Sequence, residues 1–430
     1  MNYNTCKLDS GLRVIHLPSA SDVIICGIAV KAGTRNEQRG QEGLAHFCEH
    51  LAFKGTRRRR AVQIINAIEG VGGELNAFTN KEDTVYYCAI QRRHFTRAVD
   101  VLCDIVFFSQ HPQMEVEKEC EVVCDEIESY EDTPAELIYD EIEDILFQGH
   151  PLGHHILGTS EQVRSYTSAD ADAFTQRWYR PENCIFFASG NVDFGQLKRL
   201  LARQPSVDGT GEQEQTSTLT VEEQTNTLTV EEQISTLTVE EQTGTPEVPT
   251  VITRQRGTHQ AHVMLGTTAY AATDPRRWAL YLLNNIVGGP GLNSRLNLAL
   301  RERRGLVYAV ESSMVAYSDT GAWTIYFGCD PADVDRCRRI VRRELDRLMA
   351  APLSATQLRR AKQQLQGQLA IACDSREQFA LDFAKNFLHT GKLRDLTDIM
   401  RHIDGLTAAD LQQTAQELFA PERLVTLVYT

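Results

Sequence analysis

The sequence predicts an α+β protein of two domains with a related plan, in which each domain holds a mixed or antiparallel β-sheet flanked by helices. The chain has 430 residues, and a domain usually holds about 100–200 residues. A repetitive acidic stretch near mid-chain separates two segments, each of which begins with a β-rich stretch followed by long helical patterns. We therefore expect an N-terminal domain at residues 1–205, a linker at residues 206–249 and a C-terminal domain at residues 250–430.

Short runs rich in β-branched and aromatic residues predict strands in both segments. These runs are Leu12–His16, Val23–Val30, Thr84–Ile90 and Ile185–Ser189 in the first segment, and Ala261–Thr267, Ala322–Phe327 and Leu424–Tyr429 in the second. Longer stretches, in which apolar residues recur at helical spacing between charged ones, predict helices. The clearest are Val116–Tyr130, Ala135–Phe147 and Ala355–Ala372.

The linker contains a nine-residue repeat in three similar units, Glu214–Glu222, Glu223–Glu231 and Glu232–Glu240. Residues 206–249 hold nine Glu, one Asp and no Lys or Arg, so they carry −10 of the chain's net charge of −14. The repeat has too few apolar residues to offset the entropy of ordering, which predicts a disordered linker. Its Thr-Leu-Thr-Val alternation also fits a short strand that pairs with a sheet edge.

Composition argues against several classes of function. The net charge of −14 disfavours nucleic acid as a partner, since phosphate binding needs clustered positive charge. The basic run Arg57–Arg60 is interpreted as a solvated loop before a helix. We find neither a stretch of roughly 18–20 apolar residues that would cross a membrane nor a secretory signal. The eleven cysteines have no paired framework, which favours reduced thiols in the cytoplasm, and Cys120 and Cys124 are interpreted as core residues.

An H-x-x-E-H motif carries the main chemical signal. Its residues His46, Glu49 and His50 share one face of a helix because they lie three and four positions apart. Two imidazoles at this spacing can bind one zinc ion, and a carboxylate between them can accept the proton of the water that attacks a peptide bond. The alternative, a surface helix with two solvated histidines, fits poorly because residues 44–53 are largely apolar.

A catalytic zinc usually has three protein ligands, so the motif requires a third ligand from elsewhere. The segment Glu117–Glu128 is acidic and has a helical pattern. Within it, Glu119 and Glu126 lie seven residues apart, which places both on one stripe of a helix. Spacing alone does not choose between Glu126 and its acidic neighbours.

The chain resembles the family of pitrilysin, insulinase and the mitochondrial processing peptidases, and especially its shorter bacterial two-domain members. In that family a glutamate about 75 residues after the last histidine completes the zinc site, and 75 residues separate His50 from Glu126. A second family glutamate, seven positions earlier, matches Glu119 and implies a supporting role in orienting the site. The resemblance runs from about Cys6 to Thr430 without the repeat, and its further segments are Gly72–Thr79, Tyr130–Pro134, Gly149–Gly153, Leu157–Gly158, Trp178–Asn183, Ser189–Asn191 and Gly288–Leu296.

The resemblance also implies two elements that bind substrate. Arg301 and Tyr308 match a family pair, seven residues apart, that binds substrate across the cleft and helps to polarise the scissile carbonyl. Taken on its own, Arg301 fits an exposed residue at a helix end. An edge strand of the family that pairs with an extended peptide maps onto Asn76, Ala77 and Phe78.

Together these residues predict a zinc-dependent endopeptidase that hydrolyses extended or unfolded peptides through a metal-activated water. His46, His50 and Glu126 are expected to bind one Zn²⁺ per chain, with Glu49 as general base. The closed chamber of the family needs four such domains, so we expect a homodimer, with a heterodimer of related chains as the alternative. The rival function is a non-catalytic structural or partner subunit of a heteromeric peptidase. Such relatives lose residues of the zinc motif, whereas all of them are present here.

Overall fold

A computed structural model gives the structure of the chain at residues 3–204, 250–392 and 395–430. The acidic repeat lies outside these described residues, and so do both interpretations of it. Two β-sheets flanked by helices confirm the predicted α+β fold. One sheet is built from residues before the repeat, which we call the first half, and the other from residues after it, the second half.

The first sheet consists of β1 (Asn4–Lys7), β2 (Arg13–Pro18), β3 (Val23–Val30), β4 (Glu74–Thr79), β5 (Thr84–Gln91) and β6 (Cys184–Gly190). Their order is β1-β2-β6-β3-β5-β4, and all neighbours are antiparallel except the parallel pair β2 and β6. The central strands β3 and β6 are almost continuously apolar because both faces of the sheet are covered. Among the described strands, β4 pairs only with β5 and forms an open edge.

The second sheet consists of β7 (Val251–Arg254), β8 (Ala261–Ala269), β9 (Val307–Ala316), β10 (Gly321–Cys329) and β11 (Val425–Tyr429). Their order is β7-β11-β8-β10-β9, and the one parallel pair in this sheet is β7 with β11. All seven strands predicted from the sequence coincide with observed strands to within two residues at each end.

The helices of the first half are α1 (Leu44–Leu51), α2 (Ala61–Ile68), α3 (Phe95–Phe107), α4 (Gln113–Glu131), α5 (Pro134–Leu146), α6 (Ser160–Ser165), α7 (Ser168–Trp178) and α8 (Phe194–Ala202). Those of the second half are α9 (Arg277–Gly288), α10 (Val334–Ala350), α11 (Ala355–Ala372), α12 (Arg376–Thr390), α13 (Leu396–Gly405) and α14 (Ala408–Leu418), with a π-helical segment at Asn297–Glu302. The three predicted helices correspond to α4, α5 and α11. Within the described ranges, no helix combines the length and the apolar character needed to cross a bilayer.

Each half packs one helix against the sheet of the other half, an arrangement that we call the helix exchange. One face of the first sheet packs on helices of its own half, including α1, α3 and α4. Its other face packs against α12 of the second half, through side chains that include Phe383 and Phe387. In the same way, α5 of the first half packs against the second sheet through Ile138 and Ile142. Each sheet therefore depends on the other half of the chain to cover one apolar face.

The interpretation of Arg57–Arg60 as a solvated loop holds for the exposed Arg57, Arg58 and Arg60 but was wrong for Arg59, whose side chain is only 21% exposed. The segment does precede α2, but Arg58 and Arg59 pair with Asp100 and Asp104 on α3. The Asp104 carboxylate is fully buried and also accepts a hydrogen bond of 2.8 Å from Thr56 Oγ1. The guanidinium groups therefore neutralise a buried charge, which would be costly to leave unpaired.

The helix exchange makes a prediction about the isolated first half. Residues 1–204 expressed alone should aggregate or bind a hydrophobic dye, because four Leu and Phe side chains of α12 no longer cover the first sheet. Each such side chain contributes about 1.5–3 kcal/mol on burial, so together they match a typical net stability of about 5–15 kcal/mol. Co-expression with residues 250–430 should restore a soluble complex. A monomeric first half that unfolds cooperatively and binds no dye would contradict this account of the interface.

Candidate metal centre

Helix α1 presents the three motif residues on one face and buries its other faces. Gly43 precedes the helix with φ of +98°, a left-handed conformation that favours glycine. The apolar residues of α1, among them Phe47 and Leu51, are completely or almost completely buried in the core of the first half. Burial of these faces fixes the rotation of the helix, so that His46 and His50 face Glu126 on α4 while Glu49 contacts Thr79 at the end of β4.

Helix α4 supplies the third candidate ligand. Glu126 Oε2 lies 3.3 Å from His50 Nε2, and Glu126 Oε1 lies 3.8 Å from His46 Nε2. Within the described ranges, His46, His50 and Glu126 form the one group of three or more metal-binding side chains whose ligand atoms all lie within 4.8 Å of one another. Ligand atoms bound about 2.0–2.1 Å from a tetrahedral zinc lie about 3.3 Å apart, so the residues present fit this metal.

Glu119 holds His50 from the side away from Glu126. Its Oε1 accepts a hydrogen bond of 2.9 Å from His50 Nδ1, which leaves Nε2 of that ring directed at Glu126. Its Oε2 pairs with Lys54 Nζ at 2.5 Å, just beyond the end of α1. Burial alone would raise the pKa of Glu119, but the hydrogen bonds from His50 and Lys54 hold that pKa below its usual value. Glu119 is therefore an ionised, buried partner that orients the imidazole.

The two histidines have different environments. Burial, with His50 as a second cause, lowers the pKa of His46 to about 4, which favours the neutral imidazole that binds metals. Burial also acts to lower the pKa of His50, but its hydrogen bonds with Glu119 and Glu126 outweigh this effect and raise the pKa to about 9. The Nδ1 atom of His46 is buried and has no hydrogen-bond partner among the described residues. His50 is thus oriented by a side chain, whereas His46 is not.

Glu49 lies beside the cluster, next to the end of the edge strand β4. Its side chain is almost fully buried, and its Oε2 accepts a hydrogen bond of 2.6 Å from Thr79 Oγ1, at the last residue of β4. Burial raises the pKa of Glu49, although the bond from Thr79 opposes this. Sequence reasoning missed Thr79 and Lys54 as parts of the site. Thr79 closes the segment Gly72–Thr79 that carries the resemblance and directly follows Phe78, whereas the one signal for Lys54 was its position four residues after His50.

The three residues mapped to a peptide-binding edge lie on an edge strand of the first sheet. Asn76, Ala77 and Phe78 belong to β4, whose outer side is unpaired among the described strands. An extended peptide could add to such an edge through main-chain hydrogen bonds. Because Thr79 continues the same strand and contacts Glu49, the edge leads directly to the cluster of His46, Glu49, His50 and Glu126.

Arg301 and Tyr308 lie in the second half of the chain. Both line a cavity of about 600 Å³ bounded by residues of the second half between Tyr281 and Ala372. Arg301 is exposed in the π-helical segment, and the side chain of Tyr308, on β9, is 82% exposed. The two residues thus share one cavity, whose lining residues all belong to the second half.

Two family models match the chain in succession. Residues 14–160 match the model described as Insulinase (Peptidase family M16). Residues 165–365 match the model described as Peptidase M16 inactive domain. The first match contains α1 and α4, and the second contains Arg301 and Tyr308.

Relatives and solved structures agree with these matches. An uncharacterised zinc protease of Streptomyces coelicolor is 32% identical over 426 residues, which cover 96% of this chain and 86% of the relative. An uncharacterised zinc protease of Bacillus subtilis is 29% identical, with 99% of this chain and 97% of the relative covered. A crystal structure of a protease from Helicobacter pylori has a TM-score of 0.86 at 21% identity, covering 100% of this chain and 99% of that one. A structure from Pseudomonas fluorescens, described as a peptidase M16 inactive domain, has a TM-score of 0.84 at 18% identity, with 100% and 98% covered.

The cluster predicts how zinc binding responds to changes on α4. Glu126→Gln should lose zinc, since it removes a charged ligand, while Glu119→Ala should weaken zinc affinity by about 10–100-fold through loss of orientation of His50. The matched control is Glu128→Gln, an exposed position on the same helix, which should retain zinc. Zinc content after dialysis and competition with a chelating dye measure these effects. Zinc retained in Glu126→Gln but lost in Glu128→Gln would show that the wrong glutamate has been assigned.

Proposed function

The chain belongs to the insulinase family of peptidases, peptidase family M16, and from that premise we propose that it is a zinc-dependent endopeptidase that hydrolyses extended or unfolded peptides. One observation carries the proposal. His46, His50 and Glu126 converge within 4.8 Å, with the Glu49 carboxylate on the same helix face. Two imidazoles and a carboxylate are a donor set that catalytic zinc sites use, which supports the proposal, and the Glu49 carboxylate would act as base.

Each residue of the cluster has a distinct proposed role. His46, His50 and Glu126 would hold one zinc ion, which when bound would polarise the scissile carbonyl and lower the pKa of a water. Glu49 would accept the proton of the attacking water and pass it to the leaving amine. Its Oε2 is held by Thr79, so the orientation of the carboxylate is set before substrate arrives. Glu119 would act through His50 and is a positioning residue.

The open edge of the first sheet supports the choice of substrate. A peptide that adds to Asn76–Phe78 must be extended and must expose its main chain, which excludes the interior of a folded protein. Such a strand would run toward Thr79 and Glu49. We propose that two chains pair as a homodimer, so that Arg301 and Tyr308 of a second half face the zinc-binding residues and complete the substrate site.

A non-catalytic subunit is the second candidate function. It is favoured by the match of residues 165–365 to a model described as an inactive domain. That match lies outside α1 and α4, and the first-half match to the insulinase model contains every residue of the cluster. The intact cluster therefore favours catalysis.

A quenched fluorescent peptide separates the two functions. The zinc-loaded chain should cleave an unstructured peptide, and a chelator should abolish cleavage until zinc is restored. Glu49→Gln should keep its zinc but lose at least about 10²-fold in kcat, because it cannot accept a proton. Glu128→Gln serves as the control and should cleave at the normal rate. A fully zinc-loaded chain with no cleavage of any peptide would favour the non-catalytic subunit, and full activity in Glu49→Gln would refute its role as base.

A further inference from the structure

We propose that Glu37 is a positioning residue for the metal centre, because its buried carboxylate fixes the first turn of α1 and thereby places His46 opposite Glu126. The proposal rests on the proposed function in one respect, namely that these residues bind zinc. Glu37 lies outside the H-x-x-E-H motif, and the sequence reasoning assigned it no role.

The Glu37 carboxylate acts as a cap supplied from outside the helix. Its side chain is only 1% exposed. The backbone N–H of Gly43 donates to Oε2 at 3.0 Å, and that of Ala45 donates to Oε1 at 2.7 Å. Gly43, at the N-cap position, has no side chain that could do this. The carboxylate therefore satisfies main-chain donors that a helix start leaves unpaired, and its charge suits the positive end of the helix dipole.

The position of His46 depends on this turn more than the position of His50 does. Helix α1 has eight residues, and His46 is the third of them, directly after Ala45. His50 is oriented by Glu119, whereas Nδ1 of His46 has no partner among the described residues. The backbone of the first turn is thus what fixes His46, and Glu37 holds that backbone.

Glu37 is also connected through hydrogen bonds of His154 to the turn that follows the edge strand β4. His154 Nε2 donates to Glu37 Oε2 at 2.9 Å, and the His154 carbonyl accepts a hydrogen bond from the buried Lys81 Nζ. Lys81 lies in the turn between β4 and β5, two residues after Thr79. The segment that follows His154 packs closely against the start of α1, since a Cβ at Gly43 would come within 2.5 Å of the Leu157 carbonyl oxygen. Glu37, His154 and Lys81 therefore connect the start of α1 with the turn at the end of the edge strand β4.

Glu37→Gln tests the proposal in the full-length chain. The amide keeps the size of the side chain, but its NH₂ group faces a backbone N–H that needs an acceptor. We expect the zinc dissociation constant, measured by competition with a chelating dye, to rise by about 10–100-fold, the range for partners that orient metal ligands. The visible spectrum of the cobalt-substituted chain should change as well, because it reports the geometry of the ligands. Glu42→Gln is the matched control, since Glu42 lies in the same loop but its carboxylate bonds Gly40 and Gln162 instead of α1.

The outcomes separate this proposal from the proposed function. A folded Glu37→Gln chain with the zinc affinity and cobalt spectrum of the unmodified chain would overturn the role of Glu37. Failure of the unmodified chain to bind zinc would instead overturn the proposed function. If Glu37→Gln does not fold, the variant His154→Ala tests the proposal instead. It removes the hydrogen bond from His154 Nε2 to the Glu37 carboxylate and leaves the carboxylate itself in place. A rise of a few-fold in its zinc dissociation constant supports the proposal, and an unchanged constant refutes it.

Discussion

The hydrogen bond between Glu119 and His50 is the interaction on which the site depends, because it joins the two helices that carry the candidate ligands. Apart from this bond and the contacts of Glu126 with His46 and His50, the interface between α1 and α4 is apolar. Apolar contacts fix the distance between the helices but not the direction of a polar group. In such surroundings a charged carboxylate is costly unless it is paired, and Glu119 is paired twice, with His50 and Lys54. The same pairing directs Nε2 of His50 toward Glu126, so the contact that satisfies a buried charge also orients a candidate metal ligand.

The exchange of helices gives the second half a part in this arrangement. Helix α12 covers the face of the first sheet opposite α1, and its His389 pairs with Asp83 in the turn that follows β4. In the same turn, Glu82 bonds Ser318 of the second half and Arg35, and Arg35 in turn bonds Asp319 of the second half. The turn next to the edge strand is thus held by both halves. The second half therefore supports the first-half site structurally, besides carrying its own exposed pair of residues.

The sequence alone predicted what depends on local spacing. The shared face of His46 and His50 follows from helical geometry, and the strands follow from apolar runs. The choice of Glu126 over its acidic neighbours needed the resemblance to a family. Which glutamate of α4 lies opposite the histidines depends on how the two helices are positioned relative to each other, and no local sequence pattern encodes that. The partners of Arg58 and Arg59 were missed for the same reason, since the buried Asp104 lies 46 and 45 residues further along the chain from them. The helix exchange was also hidden, because an amphipathic pattern shows that a face is buried but not which sheet buries it.

X-ray absorption spectroscopy of the zinc-loaded full-length chain tests the central claim most directly, because it reports which atoms surround the metal. With His46, His50 and Glu126 as ligands, the spectrum should show nitrogen and oxygen atoms at about 2.0–2.2 Å, with the multiple-scattering features of two imidazoles and no sulfur. The chain has eleven cysteines, and Cys48 and Cys120 lie on the same two helices as the proposed ligands. A sulfur shell at about 2.3 Å, or a spectrum without imidazole, would contradict the account.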